Sequence, residues 1–301
     1  MNRKFNEIYQ EIYKNGISEL TKLKNNRDIS VTAFIILVII VFILFVKSKL
    51  SFELMAIFGA LLLISFYLYV RTSSTYRKAF KELVIQRIIY LYDPELEFDA
   101  KKGVSKMEYI ESFFDGHFDR FHSEDFIQGK ILDKYNFKMS QVKTEVEEVE
   151  TDSDGNTHIE THTLFSGLFG IVEIKDSMIM KMDITSNNFL NKYHQNRIEV
   201  DSSEFEKNYD MFSTDKVRSM EIFTSDIIEE FNKFEEDTGY VMQIKVVPNR
   251  LYFRIACGDA FEAPALKGAL SYDYLYKNFR MIDFPIHIIS RIIENALDTR
   301  R

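Results

Sequence analysis

The stretch that decides the fold is ISVTAFIILVIIVFILFV, residues 29–46, which has no charged side chain in eighteen residues. A second stretch, LMAIFGALLLISFYLYV at residues 54–70, is seventeen residues long and equally uncharged. As helices they would extend about 27 and 25 Å, close to the ~30 Å hydrocarbon core of a bilayer. The two stretches predict a transmembrane helical hairpin. The alternative is a buried helical hairpin in the core of a globular protein.

Basic residues flank the two spans on one side. Four lie within fifteen residues before the first span and four follow the second: Lys14, Lys22, Lys24, Arg27, Arg71, Arg77, Lys78 and Lys81. The connecting loop has only Lys47 and Lys49. Since cytoplasmic segments carry an excess of Lys and Arg, we predict a two-span cell-membrane protein with both termini in the cytoplasm and the lipid bilayer as its first partner.

Composition excludes several classes of protein. The formal net charge of −8, from 38 basic and 46 acidic residues, argues against a nucleic-acid binder. One cysteine excludes an internal disulfide framework and a cysteine-built zinc site. The spans contain no ionisable residue, which disfavours a pump or secondary transporter. A channel built from the spans would depend on the small residues Ala56 and Ala60 for close helix packing and would lack a polar pore lining.

Hydrophobic periodicity divides the chain into four segments. They are a cytosolic amphipathic helix over residues 1–28, the hairpin over residues 29–70 with spans 29–46 and 54–70, a juxtamembrane helix over residues 71–94, and a cytosolic α+β domain over residues 95–301. An antiparallel hairpin brings the first and third segments to the same membrane face. We therefore predict that these two helices pack side by side as a short stalk.

The domain over residues 95–301 mixes strand and helix patterns. Strand patterns occupy residues 126–132, 136–150, 157–174, 177–184, 240–247 and 250–257. Four helices are predicted. The first starts at the capping box of residues 105–108, and the second runs from Thr224 or Ser225 to Gly239. The last two occupy residues 272–279 and 285–297, with Pro285 at a first helical position. We predict an α+β fold with a mixed, mainly antiparallel sheet.

Several short motifs resemble a bacterial membrane-protein family known as domain of unknown function 3137. They are YRKAF at residues 76–80, SEDFIQGKI at 123–131, FSGLF at 165–169, EFEK at 204–207 with FSTD at 212–215, and NRLYF at 249–253 followed by Phe261-Glu262. The resemblance covers residues 71 to 298 and departs from the family at Ser225, where a proline is expected. It implies the architecture and supplies no catalytic residues.

The candidate metal site is His158, Glu160 and His162, which alternate along a predicted strand. Period two places all three on one face, where imidazole and carboxylate groups could converge on a divalent ion. The alternative is a solvent-facing strand in which glutamates pair with histidines. The composition of residues 152–156, DSDGN, is typical of a turn. A calcium loop is disfavoured, because Gly155 comes too early for it.

Other polar residues favour structural roles. His117, His122 and their acidic neighbours are predicted to lie in a solvated loop. Cys257 is predicted to be a core residue. With no phosphate-binding or nucleophile-elbow motif, we expect no cofactor and no catalytic residue. We favour a membrane-anchored binding or scaffold module that acts through a protein partner or self-association. The alternative is a membrane-bound metal-dependent enzyme using His158, Glu160 and His162.

Overall fold

The computed structural model describes residues 3–47, 52–151, 157–174, 181–187, 195–264 and 271–299. The chain splits into two compact units, Met1–Ile88 with Glu262–Leu270 and Ile89–Phe261 with Ser271–Arg301. The predicted turn at residues 152–156 lies outside the described residues, as does the first half, residues 177–180, of the strand predicted at residues 177–184.

Long helices build the first unit. Helix α1 is Arg3–Asn15, α2 is Ile17–Val46 and α3 is Phe52–Phe80, after which a π-helical segment, Lys81–Ile85, leads into α4, Gln86–Tyr92. Gly16 interrupts the amphipathic pattern of the N-terminal residues, so their second part joins α2 and runs directly into the first apolar stretch. Helices α2 and α3 contact each other through aromatic rings, with Phe34 and Phe66 5.8 Å apart.

The apolar stretches are exposed. The most apolar eighteen-residue window has a mean hydropathy of 3.3 in helix Ile17–Val46 and of 2.0 in the continuous helical segment Phe52–Tyr92. No residue of either window is buried. Both helices are therefore long and apolar enough to cross a membrane. Helices in the core of a globular protein would instead bury these side chains.

The predicted stalk packing is confirmed. The Arg87 guanidinium donates a hydrogen bond to the Glu11 carboxylate at 2.7 Å, and this bond lowers the pKa of Glu11. Gly16, which directly follows α1, also lies close to Leu83. A Cβ atom added at Gly16 would be 3.6 Å from the Leu83 carbonyl oxygen. The N-terminal helix and the segment that follows α3 therefore lie side by side.

In its described residues, the second unit contains an antiparallel sheet of nine strands in the order β1-β2-β3-β4-β9-β8-β5-β7-β6. The strands are β1 Glu97–Asp99, β2 Arg120–Ile131, β3 Tyr135–Thr151, β4 Thr157–Glu173, β5 Met182–Ser186, β6 Arg197–Ile198, β7 Tyr209–Ser213, β8 Met242–Val247 and β9 Arg250–Ile255. The helices are α5 Lys106–Ile110, α6 Ser203–Asn208, α7 Lys216–Ile222, α8 Ser225–Thr238 and α9 Tyr272–Asp298. The α+β fold class is confirmed.

The sheet is packed on both faces. On one face, Tyr209 of β7 meets Phe231 of α8 at 5.3 Å, and Phe284 of α9 stacks on Phe234 at 4.2 Å. On the other face, Tyr109 of α5 packs edge-on against Phe169 at 4.8 Å. Burial of aromatic and aliphatic side chains on both faces supplies the main stabilising term for this unit.

The end of the chain differs from the sequence prediction. Pro285 lies inside α9 and does not begin a second helix. A proline within a helix removes one backbone hydrogen bond and costs ~3 kcal/mol. Buried side chains continue across it, including Ile282 and Phe284 before the proline and Ile288 and Ile289 after it. Burial of this continuous apolar stripe outweighs the cost of the proline.

Candidate functional site

The β3–β4 hairpin extends beyond the neighbouring strands. β3 and β4 pair from Phe137 opposite Val172 to Thr151 opposite Thr157. β2 pairs with β3 only as far as Glu145, and β9 pairs with β4 only from Leu168 onward. Residues 146–151 and 157–164 therefore form a two-stranded ribbon, here called the distal ribbon. Among the strands in the described part of the chain, none pairs with its outer edges.

A short loop holds the base of the distal ribbon. The Glu147 backbone N–H donates to Asp119 Oδ2 at 2.7 Å, and Arg120 Nε donates to Glu147 Oε1 at 2.6 Å. The pKa of Asp119 is lowered, chiefly because its carboxylate accepts that backbone hydrogen bond. These bonds close the β3 edge as far as Glu147.

The candidate metal residues lie on one face of the distal ribbon. His158, Glu160 and His162 are all exposed. His162 Nε2 is 3.7 Å from Glu160 Oε2 and 3.8 Å from Glu148 Oε2 on the neighbouring strand. In the register, Glu148 stands opposite Glu160 and Glu150 stands opposite His158. The structure therefore brings His162 together with two carboxylates, as the strand pattern predicts for a charge-paired or metal-binding face.

The other face of the distal ribbon carries exposed apolar side chains. Val149 is 69% exposed and stands directly opposite Ile159, which is 66% exposed. Leu164, 45% exposed, lies in the register shift between Thr144 and Glu145 of the partner strand. Val149 and Ile159 therefore form an exposed apolar pair across the two strands of the ribbon.

A buried ionic cluster fixes the loop after α5 on the sheet. The Asp115 carboxylate accepts hydrogen bonds from Tyr109 Oη at 2.6 Å, Thr144 Oγ1 at 2.8 Å and Arg254 Nη1 at 2.6 Å. Burial raises the pKa of Asp115, but the three donated hydrogen bonds outweigh it, so the pKa lies below its usual range. Arg254 Nε also donates to Gln243 Oε1 at 2.6 Å.

A second pair of charges lies farther along the same sheet face. Asp183 of β5 stands opposite Lys245 of β8. Burial raises the pKa of Asp183 and lowers the pKa of Lys245. Lys245 Nζ donates to the Phe113 carbonyl oxygen at 2.7 Å and lies 4.9 Å from the centre of the Phe114 ring. Lys245 and Arg254 therefore attach the loop at residues 113–115 to the centre of the sheet.

This ionic cluster has no local sequence pattern, because its members are distant in sequence. Asp115 and Arg254 are 139 residues apart, and each resembles an ordinary surface charge in its local pattern. The one available signal is Arg254 itself, a charged residue between the apolar Phe253 and Ile255.

The remaining candidates from the sequence stand apart from one another. His117 lies 3.1 Å from Asp119, and His122 lies 3.9 Å from Glu124, both as exposed pairs. Burial raises the pKa of the Cys257 thiol to about 11, which makes it a poor nucleophile at neutral pH.

The described residues define an α+β protein with a nine-stranded antiparallel sheet, preceded in the chain by two long apolar helices. Residues 146–293, just under half of the chain, match the model of the family described as "Protein of unknown function (DUF3137)". This match confirms the family predicted from the motifs, and it begins in the distal ribbon. The comparisons with curated proteins and with solved structures gave no match.

The motif FSGLF has a structural explanation. Gly167 at its centre lies against β9, and a Cβ atom there would be 2.0 Å from the Ile255 carbonyl oxygen. Phe165 and Phe169 on either side belong to the buried cluster around Tyr109. The motif therefore serves the packing of the sheet.

Proposed function

We propose that this chain is an integral membrane protein whose two apolar helices cross the bilayer, with both termini and the α+β domain in the cytoplasm. The support is that the apolar windows of α2 and α3 have no buried residue. Such surfaces are strongly disfavoured in water, and a bilayer removes them from it. The excess of basic residues flanking the hairpin favours the cytoplasmic orientation.

The single cysteine allows a direct test of this topology. In a Cys257→Ser background, we expect Lys47→Cys in the connecting loop to react with a membrane-impermeant maleimide in intact cells. Lys216→Cys, at the start of α7, is the control and should react only after the cells are permeabilised. The opposite labelling pattern, or release of the chain by alkaline carbonate, contradicts the proposal.

The α+β domain acts as a binding module, with the distal ribbon as its docking surface. The observation that carries this proposal is the exposed Val149–Ile159 pair on a ribbon whose edges pair with no described strand. A two-stranded ribbon is marginally stable alone, and an exposed strand edge is a template for another strand. Strand addition by a protein partner would satisfy these edges and cover the apolar pair.

Charge indicates the kind of partner. Residues 146–164 contain six acidic residues and no Lys or Arg. A partner segment with basic and apolar side chains complements this surface. A second copy of the same ribbon would bring like charges together, so self-association through this surface is disfavoured.

Site-directed crosslinking in intact membranes tests the binding role. In a Cys257→Ser background, Ile159→Cys should form a reproducible adduct of one size with a partner protein. Val149→Asp, added to that chain, should reduce the adduct severalfold, whereas Val217→Asp on α7, where Val217 is 73% exposed, should not. An adduct of twice the chain mass would instead show self-association, and no adduct would contradict the binding role.

A metal-dependent enzyme is the second candidate. Ligand atoms around a tetrahedral zinc ion with bonds of ~2.0 Å are about 3.3 Å apart. The distances of 3.7 and 3.8 Å from His162 to Glu160 and Glu148 are close to this value. His158 is the further ligand that the strand pattern predicts, and an ion bound here would supply an activated water molecule.

Metal analysis separates the second candidate from the first. Stoichiometric zinc in the purified full chain, lost in a His158→Ala/His162→Ala variant, would support it. His287→Ala, which changes an exposed histidine on α9, is the matched control and should leave the metal content unchanged. Protein without stoichiometric metal after incubation with zinc and desalting would reject the metal site.

A further inference from the structure

A cleft of about 530 Å³ lies between α2 and α3, where their apolar stretches meet their polar ends. Its lining changes in character along the helices. Arg27 and Arg77 line its polar end, and Val31, Phe34 and Ile35 line its apolar end. Arg27 precedes Phe34 by seven residues, which is about 10 Å along a helix. The cleft therefore has a cationic end and an apolar end about 10 Å apart.

The cationic end is structurally fixed. The Arg27 side chain is only 10% exposed. Its guanidinium lies 4.7 Å from the centre of the Tyr76 ring, donates to the Pro264 carbonyl oxygen at 3.1 Å and pairs with Asp28 at 2.5 Å. Arg77, in contrast, is exposed. Two arginines and one aspartate leave this end with a net charge of +1.

The apolar end is aromatic and aliphatic. The Phe34 and Tyr69 rings stack with their centres 6.0 Å apart and an angle of 9° between their planes. Tyr69 belongs to the second apolar stretch, which reaches the polar segment of α3 at Arg71. Tyrosine and arginine at this level are typical of a membrane interface.

We infer that this cleft binds one anionic glycerophospholipid of the cytoplasmic leaflet, with its phosphate between Arg27 and Arg77 and an acyl chain along Val31, Phe34 and Ile35. Arginine is the side chain best suited to bind phosphate, because its N–H groups match the phosphate oxygens. The apolar wall below the two arginines selects a lipid over a free anion. The inference rests on the proposed insertion of α2 and α3 into a membrane.

The test uses the full chain in nanodiscs of equal phosphatidylglycerol and phosphatidylcholine content, with retained lipids counted by native mass spectrometry after detergent release. We expect the wild-type chain to retain one phosphatidylglycerol preferentially. Arg77→Gln should reduce this preference about fivefold, because it removes one of the two arginines that would hold the phosphate. Arg71→Gln removes the same charge outside the cleft and should change the preference less than twofold. Phe34→Asn should also weaken retention, because it removes apolar wall.

Each other outcome has a defined meaning. Equal losses for Arg77→Gln and Arg71→Gln, or no loss for either, would overturn the inference, because only unspecific surface charge would remain. Displacement of the lipid by soluble glycerol phosphate at the same concentration would show a phosphate site and would also overturn it. Carbonate extraction of the same variants is the separate test of insertion. Variants that stay in the membrane with unchanged lipid preference refute the lipid site alone.

Discussion

Replacing Asp115 by alanine should destabilise the α+β domain by ~3–4 kcal/mol. The Asp115 side chain is 9% exposed and that of its partner Arg254 is 18% exposed, so the pair is largely removed from water. Loss of one member of a buried ion pair costs ~3–5 kcal/mol, because the other charge stays buried without compensation. Arg254 retains its hydrogen bond to Gln243, which places the expected cost in the lower part of that range.

The pH dependence of this effect has a definite sign. The pKa of Asp115 lies below its usual range in the folded protein. Its ionised form therefore stabilises the fold at every pH above the unfolded-state pKa of about 3.9, and this contribution is lost as the pH falls through the folded-state value. The difference in stability between wild type and Asp115→Ala should be constant from pH 5 to 7 and shrink below pH 4.

Urea unfolding of the full chain in detergent micelles, followed by the near-ultraviolet circular dichroism of tyrosine, measures both quantities. The control is Asp259→Ala, at an exposed position, with an expected change within about 0.5 kcal/mol. Adding Arg254→Met to Asp115→Ala should cost less than the sum of the single changes. A loss below 1 kcal/mol for Asp115→Ala, or additive single and double variants, would refute the assignment of this pair as a buried support.

Three further predictions concern single positions of the same domain. Gly167→Ala should cost ~3 kcal/mol in urea unfolding, because its Cβ atom would lie 2.0 Å from the Ile255 carbonyl oxygen, whereas Gly116→Ala, which meets no atom within 4 Å, should cost less than about 1 kcal/mol. Ser105→Ala removes the capping box of α5 and should cost ~1 kcal/mol in the same assay; an unchanged midpoint would contradict this role. The Cys257 thiol, with its pKa raised to about 11 by burial, should react slowly with a soluble disulfide reagent at pH 7 and faster as the pH rises. Rapid reaction at pH 7 would contradict its burial.

Local patterns were sufficient to predict most elements of this fold. Alternation and turn residues located β3, β4, β8 and β9 within a few residues of their observed ends. The capping box correctly located the start of α5, where Ser105 accepts from the Glu108 N–H and Glu108 accepts from the Ser105 N–H. These features are predictable because each depends on residues close together in the chain.

Tertiary packing decided what the sequence analysis missed. Pro285 stays inside α9 because the apolar stripe on both sides of it packs as one surface. The Asp115–Arg254 pair joins residues that no local pattern connects. Val149 and Ile159 are exposed because β2 and β9 stop pairing before they reach the distal ribbon. The sequence does not indicate this, since a strand has the same alternating pattern with or without neighbours.

The charges that we propose select a partner for the distal ribbon would also protect the unbound ribbon from aggregation. An exposed apolar pair at a free strand edge promotes edge-to-edge aggregation, and proteins suppress this with charged neighbours. Glu147 and Glu148 precede Val149, and Glu160 follows Ile159. If these carboxylates act in this way, Glu148→Gln/Glu160→Gln should increase aggregation of the detergent-solubilised chain at low ionic strength, as measured by light scattering. It should also weaken crosslinking to a basic partner. A variant that aggregated more but crosslinked equally well would separate the two roles and leave solubility as the only function of these charges.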